Sequence, residues 1–359
     1  MDTLPAGNRA RRALPLIAAA LAAIVIAGLV YLRPTVPAAA VRPAQSPQPA
    51  ILDQRYDAEY SFVTPSLGWA LVFDAIGFDA SVFNTTDGAR HWSLQKFGMP
   101  AAEGLLRIRF FDRTTGFVTL GNAGTYRTTD GGRDWSLVTR PSGAAADLWF
   151  VDPSHGWFQS DNQFESTADG GLTWQALPAP PVVGALDFAD ARNGWLANGG
   201  DQAVAAVYST DDGGASWTRH VIEGSFGRVV QGLFALPRGG VLVVMQDESA
   251  ATSFDGGATW YGIAQPPGEN SYMSIGIQDG THWWAMRQGD LYKTSDAGRS
   301  WVNVSLQLDS WEYSPTVLDT RHAWAKLRNS PGAPLSGTAL AMTSDGGIHW
   351  SYRAVPRVS

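Results

Sequence analysis

Five charged residues occupy corresponding positions in successive repeats of the chain: Glu59, Arg107, Arg109, Asp147 and Asp187. Each stands nine or seven residues before a small residue, usually glycine, that is followed by an aromatic one. Because alternate residues of a strand point the same way, all five share one side of the innermost predicted strands. Arg107 and Arg109 could together hold a carboxylate or a peptide terminus. Asp147 and Asp187, on neighbouring repeats, could form the acid pair of a glycosidase.

These five side chains also fit a purely structural interpretation. Successive repeats carry an acidic, a basic, an acidic and an acidic residue, which predicts ion pairs of Glu59 with Arg107 and of Arg109 with Asp147. Such pairs would hold neighbouring repeats in register beside a central channel. The functional alternative is a polar pocket at the mouth of that channel.

Seven further aspartates recur in a turn of the form Thr/Ser-x-Asp-Gly-Gly-x-x-Trp. They are 43, 39, 43, 43, 41 and 49 residues apart: Asp87, Asp130, Asp169, Asp212, Asp255, Asp296 and Asp345. An aspartate before a Gly-Gly pair can accept bonds from backbone N–H groups while glycine takes positive φ, so each turn is expected to close a hairpin. We therefore interpret these aspartates as structural rather than catalytic or metal-binding. Ala89 and Ala297 replace glycines, and His91, Asp134 and His349 replace the usual Ser or Thr, so these copies should be the weaker turns.

The repeat period predicts the fold, because 40 to 45 residues is the length of a four-stranded propeller blade. Each unit reads as four short strands, for example 105–112, 116–121, 124–130 and 134–140 in the second unit. We expect an all-β, seven-bladed propeller of antiparallel blades over residues 51–359, with blade 7 packing against blade 1. Most tryptophans belong to the repeat and are expected to be structural.

The loops opposite the aspartate turns vary between units, which makes that rim a second candidate surface. Their charged residues are mostly acidic, with two basic exceptions: Asp74, Asp79, Asp161, Asp201, Asp247, Glu248, Asp290, Arg287 and Arg328. Solvated loop carboxylates explain this pattern. A cationic partner or a loosely held calcium ion is the alternative.

The N-terminus predicts a membrane anchor. Residues 13–32 are twenty residues without a charge, long enough to span a bilayer as a helix. Arg9, Arg11 and Arg12 precede them, so residues 1–12 should stay in the cytoplasm and the propeller should lie outside it. Cleavage near residues 38–40 and a twin-arginine export signal are alternatives. Residues 33–50 are rich in Pro and Ala and form a semi-extended linker.

The amino-acid composition limits the kinds of molecule that the chain is expected to bind. The chain has no cysteine, which excludes disulfides and thiol chemistry. Its net charge is −7, and residues 1–33 contribute +3, so the remainder carries −10. An acidic propeller is a poor partner for nucleic acid or anionic lipid headgroups. The six histidines show no zinc spacing, and no cofactor motif is present.

The aspartate turn resembles the Asp-box of bacterial-neuraminidase-type repeats. Together with the upstream Gly-Trp pairs, the chain is most similar to the photosystem II assembly factor-like branch of these propellers, over about residues 58–355. The resemblance implies a non-catalytic propeller that binds a membrane-protein partner through an arginine-rich patch, here Arg107 and Arg109. Similar boxes also occur in sialidases, xyloglucan-cleaving glycosidases and sortilin receptors, so the motif predicts fold more strongly than function.

An enzyme of the sialidase type would need three converging arginines, a tyrosine–glutamate pair and an aspartic acid. The chain has two arginines at equivalent inner positions, and its Arg-Ile-Arg at 107–109 departs from the sialidase Arg-Ile-Pro. We therefore predict a membrane-anchored, extracytoplasmic, monomeric propeller that binds a protein or peptide without catalysis. A sialidase-like glycoside hydrolase is the alternative.

Overall fold

The structure is a computed structural model. It describes residues 52–53, 55–74, 79–102, 104–139, 147–160, 163–197, 204–226, 229–247, 249–267, 273–287, 290–304, 311–329 and 338–357. Within these ranges, 28 strands form seven antiparallel sheets of four strands each, and every sheet consists of strands consecutive in the chain. The prediction of an all-β, seven-bladed propeller is confirmed.

The first four blades contain strands β1 to β16, in groups of four from the central strand outward. Blade 1 contains β1 (Tyr56–Phe62), β2 (Gly68–Asp74), β3 (Asp79–Thr85) and β4 (Ser93–Pro100). Blade 2 contains β5 (Leu106–Phe110), β6 (Gly116–Leu120), β7 (Thr125–Thr128) and β8 (Ser136–Thr139). Blade 3 contains β9 (Asp147–Phe150), β10 (Gly156–Gln159), β11 (Phe164–Thr167) and β12 (Gln175–Ala176). Blade 4 contains β13 (Ala185–Phe188), β14 (Gly194–Ala197), β15 (Val204–Thr210) and β16 (Thr218–Phe226).

The remaining three blades contain strands β17 to β28. Blade 5 contains β17 (Val230–Leu236), β18 (Gly240–Met245), β19 (Ala250–Ser253) and β20 (Tyr261–Gly262). Blade 6 contains β21 (Met273–Ile277), β22 (Trp283–Arg287), β23 (Asp290–Thr294) and β24 (Val302–Asn303). Blade 7 contains β25 (Trp311–Val317), β26 (Ala323–Asn329), β27 (Thr338–Thr343) and β28 (Trp350–Arg353). Short 3-10 helices occur at Gly121–Ala123 and Pro237–Gly239.

The hydrophobic core lies between neighbouring blades. The indole of Trp69 on β2 stacks on the ring of Phe110 on β5, with centroids 3.7 Å apart and planes 1° from parallel. Its Nε1–H donates to the carbonyl of Gly131, which lies in the aspartate turn of the same neighbouring blade. The aromatic residue of each upstream pair therefore joins one blade to the next, which accounts structurally for much of the tryptophan content.

Each aspartate turn is closed by the bonds of its own carboxylate. In blade 3, Asp169 Oδ1 accepts from the Thr167 hydroxyl at 2.9 Å and from the Thr173 N–H at 2.9 Å, and Oδ2 accepts from the Thr173 hydroxyl at 2.6 Å. The Thr173 bonds lower the pKa of Asp169 to about 2. In blades 1 and 7, the histidines supply the equivalent bond from Nδ1 at 2.7 Å: His91 to Asp87 and His349 to Asp345.

Ring closure joins blade 7 to blade 1 through side chains and backbone rather than through a shared sheet. Lys326 Nζ on β26 lies 2.6 Å from Glu59 Oε1 and 3.0 Å from Asp57 Oδ1, both on β1. The N–H of Leu52 donates to the carbonyl of Thr338 at 2.9 Å, and the indole of Trp92 donates to the carbonyl of Ala354 at 2.8 Å. Residues before β1 thus take part in closing the ring.

The predicted membrane segment, residues 13–32, lies outside the described residues, as do residues 1–12 and the linker 33–50. In the part of the chain that is described, no helix has the length and apolar character needed to cross a bilayer.

Candidate binding site on the inner strands

The inner strands of blades 2, 3 and 4 bring arginine, tryptophan and aspartate together. Arg107 and Arg109 alternate with the buried Ile108 on β5, so both point away from the blade core. Trp149 on β9 and Asp187 on β13 occupy the same register in the next two blades, seven residues before their small–aromatic pairs. These side chains therefore occupy equivalent positions on the inner strands of three successive blades.

Both guanidinium groups lie over one indole. The Cζ atom of Arg109 is 4.5 Å from the Trp149 ring centroid and 4.9 Å from that of Phe111, and Cζ of Arg107 is 5.2 Å from the Trp149 ring. All three side chains are half-buried. Cation–π contact stabilises a partly desolvated guanidinium and fixes the orientation of its plane. Among the described residues, none accepts a hydrogen bond from the Arg109 guanidinium.

Asp187 is an acidic residue whose charge interacts with those of Arg109 and Arg107. Its Oδ2 accepts a hydrogen bond from the N–H of Ala235, on β17 of blade 5, at 2.8 Å. Burial raises the pKa of Asp187 to about 6, against the opposing effects of that hydrogen bond and of the Arg109 charge. Burial likewise lowers the pKa of Arg109, opposed by Asp187 and reinforced by Arg107. Among the described side chains, Arg109 thus has the raised-pKa carboxylate of Asp187 as its acidic neighbour, and its guanidinium could also bind a ligand that brings negative charge.

The predicted pairing of Glu59 with Arg107 is wrong. The carboxylate of Glu59 binds Lys326 at the junction of blades 7 and 1. Lys326 lies on the second strand of its blade, and the sequence pattern compared only first strands. Glu59 is therefore part of ring closure and not of the arginine cluster.

Asp147 begins β9, and its side chain lies outside what the structure describes. Its pairing with Arg109 and its pairing with Asp187 stay predictions. The side chains that sequence reasoning missed are Trp149 and Phe111. Trp149 stands at the same register as Arg109 and Asp187 in the two neighbouring blades, so an aromatic between two charged residues was the available signal.

The acidic loops of the opposite rim give no metal site in the described ranges, where no three His, Cys, Asp or Glu side chains converge. Asp161, Asp201 and Glu248 lie outside those ranges.

Comparison with known proteins supports the resemblance inferred from the turns. No protein-family model matches the chain. A photosystem II assembly lipoprotein, Ycf48 of Synechococcus sp. (strain CC9902), is 29% identical over 121 residues, which are 32% of this chain and 35% of that protein. The match thus spans about a third of the curated relative.

Solved structures extend the likeness over most of the chain. A structure of YCF48 bound to D1 peptide covers 86% of this chain and 99% of its own, with a TM-score of 0.55 and 16% identity. The GH74 xyloglucanase from Xanthomonas campestris covers 84% of this chain and 61% of its own, with a TM-score of 0.53 and 12% identity. At these identities the likeness shows the propeller fold. The expected similarity to photosystem II assembly factor-like propellers is confirmed.

Proposed function

We propose that this chain is a membrane-anchored, extracytoplasmic scaffold that binds a protein partner through the Arg107–Arg109–Trp149 cluster and does no chemistry there. The observation that carries the proposal is the pair of half-buried guanidinium groups on one indole, with the raised-pKa carboxylate of Asp187 nearby. A peptide carboxylate fits such a pair, since guanidinium groups bind carboxylates through directed, charge-assisted hydrogen bonds.

The comparisons support a peptide ligand without identifying it. The similar propeller YCF48 has been solved with a D1 peptide, and the Synechococcus relative is described as an assembly lipoprotein. The present chain has no cysteine to carry a thioether-linked lipid. We propose that residues 13–32 take the anchoring role instead, as a helix that crosses the membrane once.

Photo-crosslinking in native membranes tests the binding proposal directly. A photoreactive amino acid at Phe111 should capture a protein that the same amino acid at Ile348, exposed on the turn rim, does not. Arg109→Ala should reduce capture at position 111 at least tenfold, and Arg133→Ala, in the turn of the same blade, should leave it unchanged. Equal capture at both positions, or capture that survives Arg109→Ala, would contradict the proposal.

Measurements of peptide affinity distinguish the contribution of the ligand's carboxylate from that of the rest of the peptide. A captured partner's peptide with a free C-terminus, or with its acidic side chains intact, should bind more tightly than the amidated or amide-substituted form. This difference in affinity should disappear in the Arg107→Ala/Arg109→Ala double variant, because the guanidinium groups that bind the carboxylate have been removed. Fluorescence anisotropy measures both affinities.

The anchor has its own test. Alkaline carbonate extraction should leave the full chain in the membrane pellet, and protease added outside the cytoplasm should digest the linker at residues 33–50. Release of the propeller by carbonate, or an N-terminus starting near residue 39 or 41 in the mature protein, would favour a cleaved signal.

A glycoside hydrolase is the second candidate, and the raised pKa of Asp187 favours it, since a general acid must hold its proton near neutral pH. Turnover of sialosides or xyloglucan that is lost in Asp187→Asn and Asp147→Asn would establish this function. If the wild-type protein binds the peptide but turns over neither sialosides nor xyloglucan, the result supports the scaffold function.

A further inference from the structure

A cavity of about 260 Å³ lies between blades 4 and 5, on the rim of the aspartate turns and apart from the arginine cluster. Ser209, His220, Asp211 and the two glycines Gly239 and Gly256 are among the residues that line it. Blade 5 differs from its neighbours here. Its first two strands are joined by only three residues, 237–239, whereas five residues join them in blades 2, 3 and 4.

The short loop leaves a backbone donor without its usual partner. In the six other blades, the N–H that follows the turn aspartate donates to a carbonyl of that loop at 2.8 to 2.9 Å, as Gly213 does to Arg192. In blade 5 the corresponding N–H belongs to Gly256, and no acceptor for it occurs in the described part of the chain. A buried or cavity-lining N–H of this kind is rare and is a natural donor to a ligand oxygen.

The same loop holds a strained residue. Arg238 adopts φ 61° and ψ 35°, in the left-handed region that side-chain-bearing residues seldom occupy. Such strain concentrates near functional sites, where the surrounding structure enforces it. The three-residue connection 237–239 therefore leaves space beside Gly256, and the strained backbone of Arg238 is its energetic cost.

A hydrogen-bonded serine and histidine line the cavity. Ser209 Oγ on β15 lies 2.8 Å from His220 Nε2 on β16. The Nδ1 side of the imidazole faces the backbone of Gly257, since a Cβ built on that glycine would lie 2.5 Å from Nδ1. In the tautomer that carries its proton on Nδ1, Nε2 is an acceptor and the Ser209 hydroxyl donates to it. Burial lowers the pKa of His220, opposed by the Gly257 backbone and the Asp255 charge, and so favours the neutral ring.

We propose that Ser209 is a reactive nucleophile, with His220 as its general base and the Gly256 N–H as a donor to the developing oxyanion, and that the cavity takes small acyl esters. As Oγ bonds to the ester carbonyl carbon, its proton passes to His220 Nε2. The ester C–O bond then breaks, and the alcohol leaves with that proton. Water, deprotonated by the same nitrogen, attacks the acyl-serine, releases the carboxylic acid and restores the hydroxyl.

A fluorophosphonate probe tests the nucleophile on the full-length protein. Oγ attacks phosphorus, the P–F bond breaks, and fluoride leaves, so the adduct is stable and can be located by peptide mass spectrometry. We expect one adduct, on Ser209, absent from Ser209→Ala. The matched control is Ser166→Ala. Ser166 is a half-buried serine at the same register of blade 3, opposite Trp157 as Ser209 is opposite Trp195, and it should leave labelling unchanged.

His220→Gln tests the base. It should slow labelling by a factor of about 100 or more, the usual range for loss of a positioned proton acceptor. Its melting temperature, measured beside that of wild type, shows whether the blade is still folded. Insertion of two residues after Arg238 provides a second variant that should slow labelling by restoring the carbonyl that caps Gly256.

Two results would overturn the proposal. One is the absence of a Ser209 adduct on folded wild-type protein. The other is labelling at an unchanged rate in folded His220→Gln protein. Both outcomes are independent of peptide binding at Arg107 and Arg109, since those residues do not line this cavity.

Discussion

Blades 1 to 4 and blades 4 to 7 join their neighbours in different ways. In the first group, parallel aromatic rings stack across each junction: Trp69 on Phe110, Phe117 on Phe150 and Trp157 on Phe188, at 3.5 to 3.7 Å. In the second group, Leu236, Ile277 and Val317 replace the phenylalanine that ends the first strand. Trp195 at the junction of blades 4 and 5 contacts His220 and Trp260 instead.

This difference explains the small residue in the small–aromatic pair. A Cβ on Gly116 would lie 2.6 Å from the ring of Phe110, and one on Gly156 would lie 2.6 Å from the ring of Phe150. Glycine therefore lets the phenylalanine lie flat against its own blade, where the indole or phenyl ring of the preceding blade covers it. Blades 6 and 7 lack that phenylalanine and carry Trp283 and Ala323 at the glycine position.

The comparison also locates the two proposed sites. Both make use of blade 4, whose junction with blade 5 lacks a stacked pair: the Asp187 carboxylate crosses it to the N–H of Ala235, and Ser209 and His220 line a cavity in it. The cavity therefore opens at a junction without ring stacking, whereas the arginines and Trp149 of the other site lie in the stacked blades 2 and 3. Four pairs of substitutions test these differences between junctions and turns.

The largest effect is expected from removing one ring of a stack. Trp157→Ala should lower the free energy of unfolding by about 3 to 5 kcal/mol, since it empties a buried site between blades 3 and 4. It also removes the bond from Nε1–H to the Gly213 carbonyl. Val241→Ala, at the corresponding position of blade 5, should lose only about 2 kcal/mol for two buried carbon groups. Urea unfolding measures both, and equal losses would remove the distinction between the halves.

The junction of blades 4 and 5 should respond to pH. The folded pKa of Asp187 is raised to about 6 by burial, so the folded state holds this proton more tightly than the unfolded chain. Stability relative to Asp187→Asn should therefore fall as the pH rises from about 4 to about 6, by of the order of 1 to 3 kcal/mol, and stay low above that.

Asp190, in the next turn of the same blade, gives the control of opposite sign. Burial would raise its pKa, but hydrogen bonds from Arg192 and Asn193 lower it. Its contribution is present at neutral pH and is lost as the pH falls below the unfolded value. Parallel pH profiles for Asp187→Asn and Asp190→Asn would contradict the assignment of Asp187 as a destabilised carboxylate.

Gly116→Ala should be costly in the stacked half. The added methyl group contacts three ring atoms of Phe110 within 2.7 Å, so the ring must move off its stack with Trp69, at a cost of about 1 to 3 kcal/mol. The reverse change in the other half, Ala323→Gly, meets no stacked ring and should cost about 0.5 to 1 kcal/mol through backbone entropy. A smaller loss for Gly116→Ala than for Ala323→Gly in thermal unfolding would show that the ring has room to shift.

The smallest effect concerns one turn from each half. Ala89 and Ala297 have φ 60° and 61°, where a side chain costs roughly 1 to 2 kcal/mol. Glycine at either position relieves that strain but gives up a buried methyl group worth about 0.8 kcal/mol. Each substitution should therefore stabilise the chain by less than about 1 kcal/mol. A loss at either position would show that packing of the methyl group outweighs the strain.

Much of the fold follows from local chemistry. The Asp-Gly-Gly turns specify hairpins, because each aspartate finds its partners within four residues along the chain, and the period of the turns predicts the number of blades. In the second blade, the strands predicted at 105–112 and 116–121 are observed at Leu106–Phe110 and Gly116–Leu120.

The candidate site could be predicted only in part. Strand alternation predicted that Arg107, Arg109 and Asp187 share one side of the inner strands, because a side chain's direction along a strand is a local property, and the charges of both arginines act on Asp187. It gave Glu59 the wrong partner, because the lysine that binds it is 267 residues away, on the second strand of the last blade.

The sequence by itself determined the repeating unit, its turns and the count of blades, since all of these depend on residues close together in the chain. Only the tertiary structure decided which charges meet across a junction, that two guanidinium groups share one indole, and that a shortened loop opens a cavity beside a serine and a histidine. Those features depend on packing between blades, where distance along the chain carries no information about distance in space.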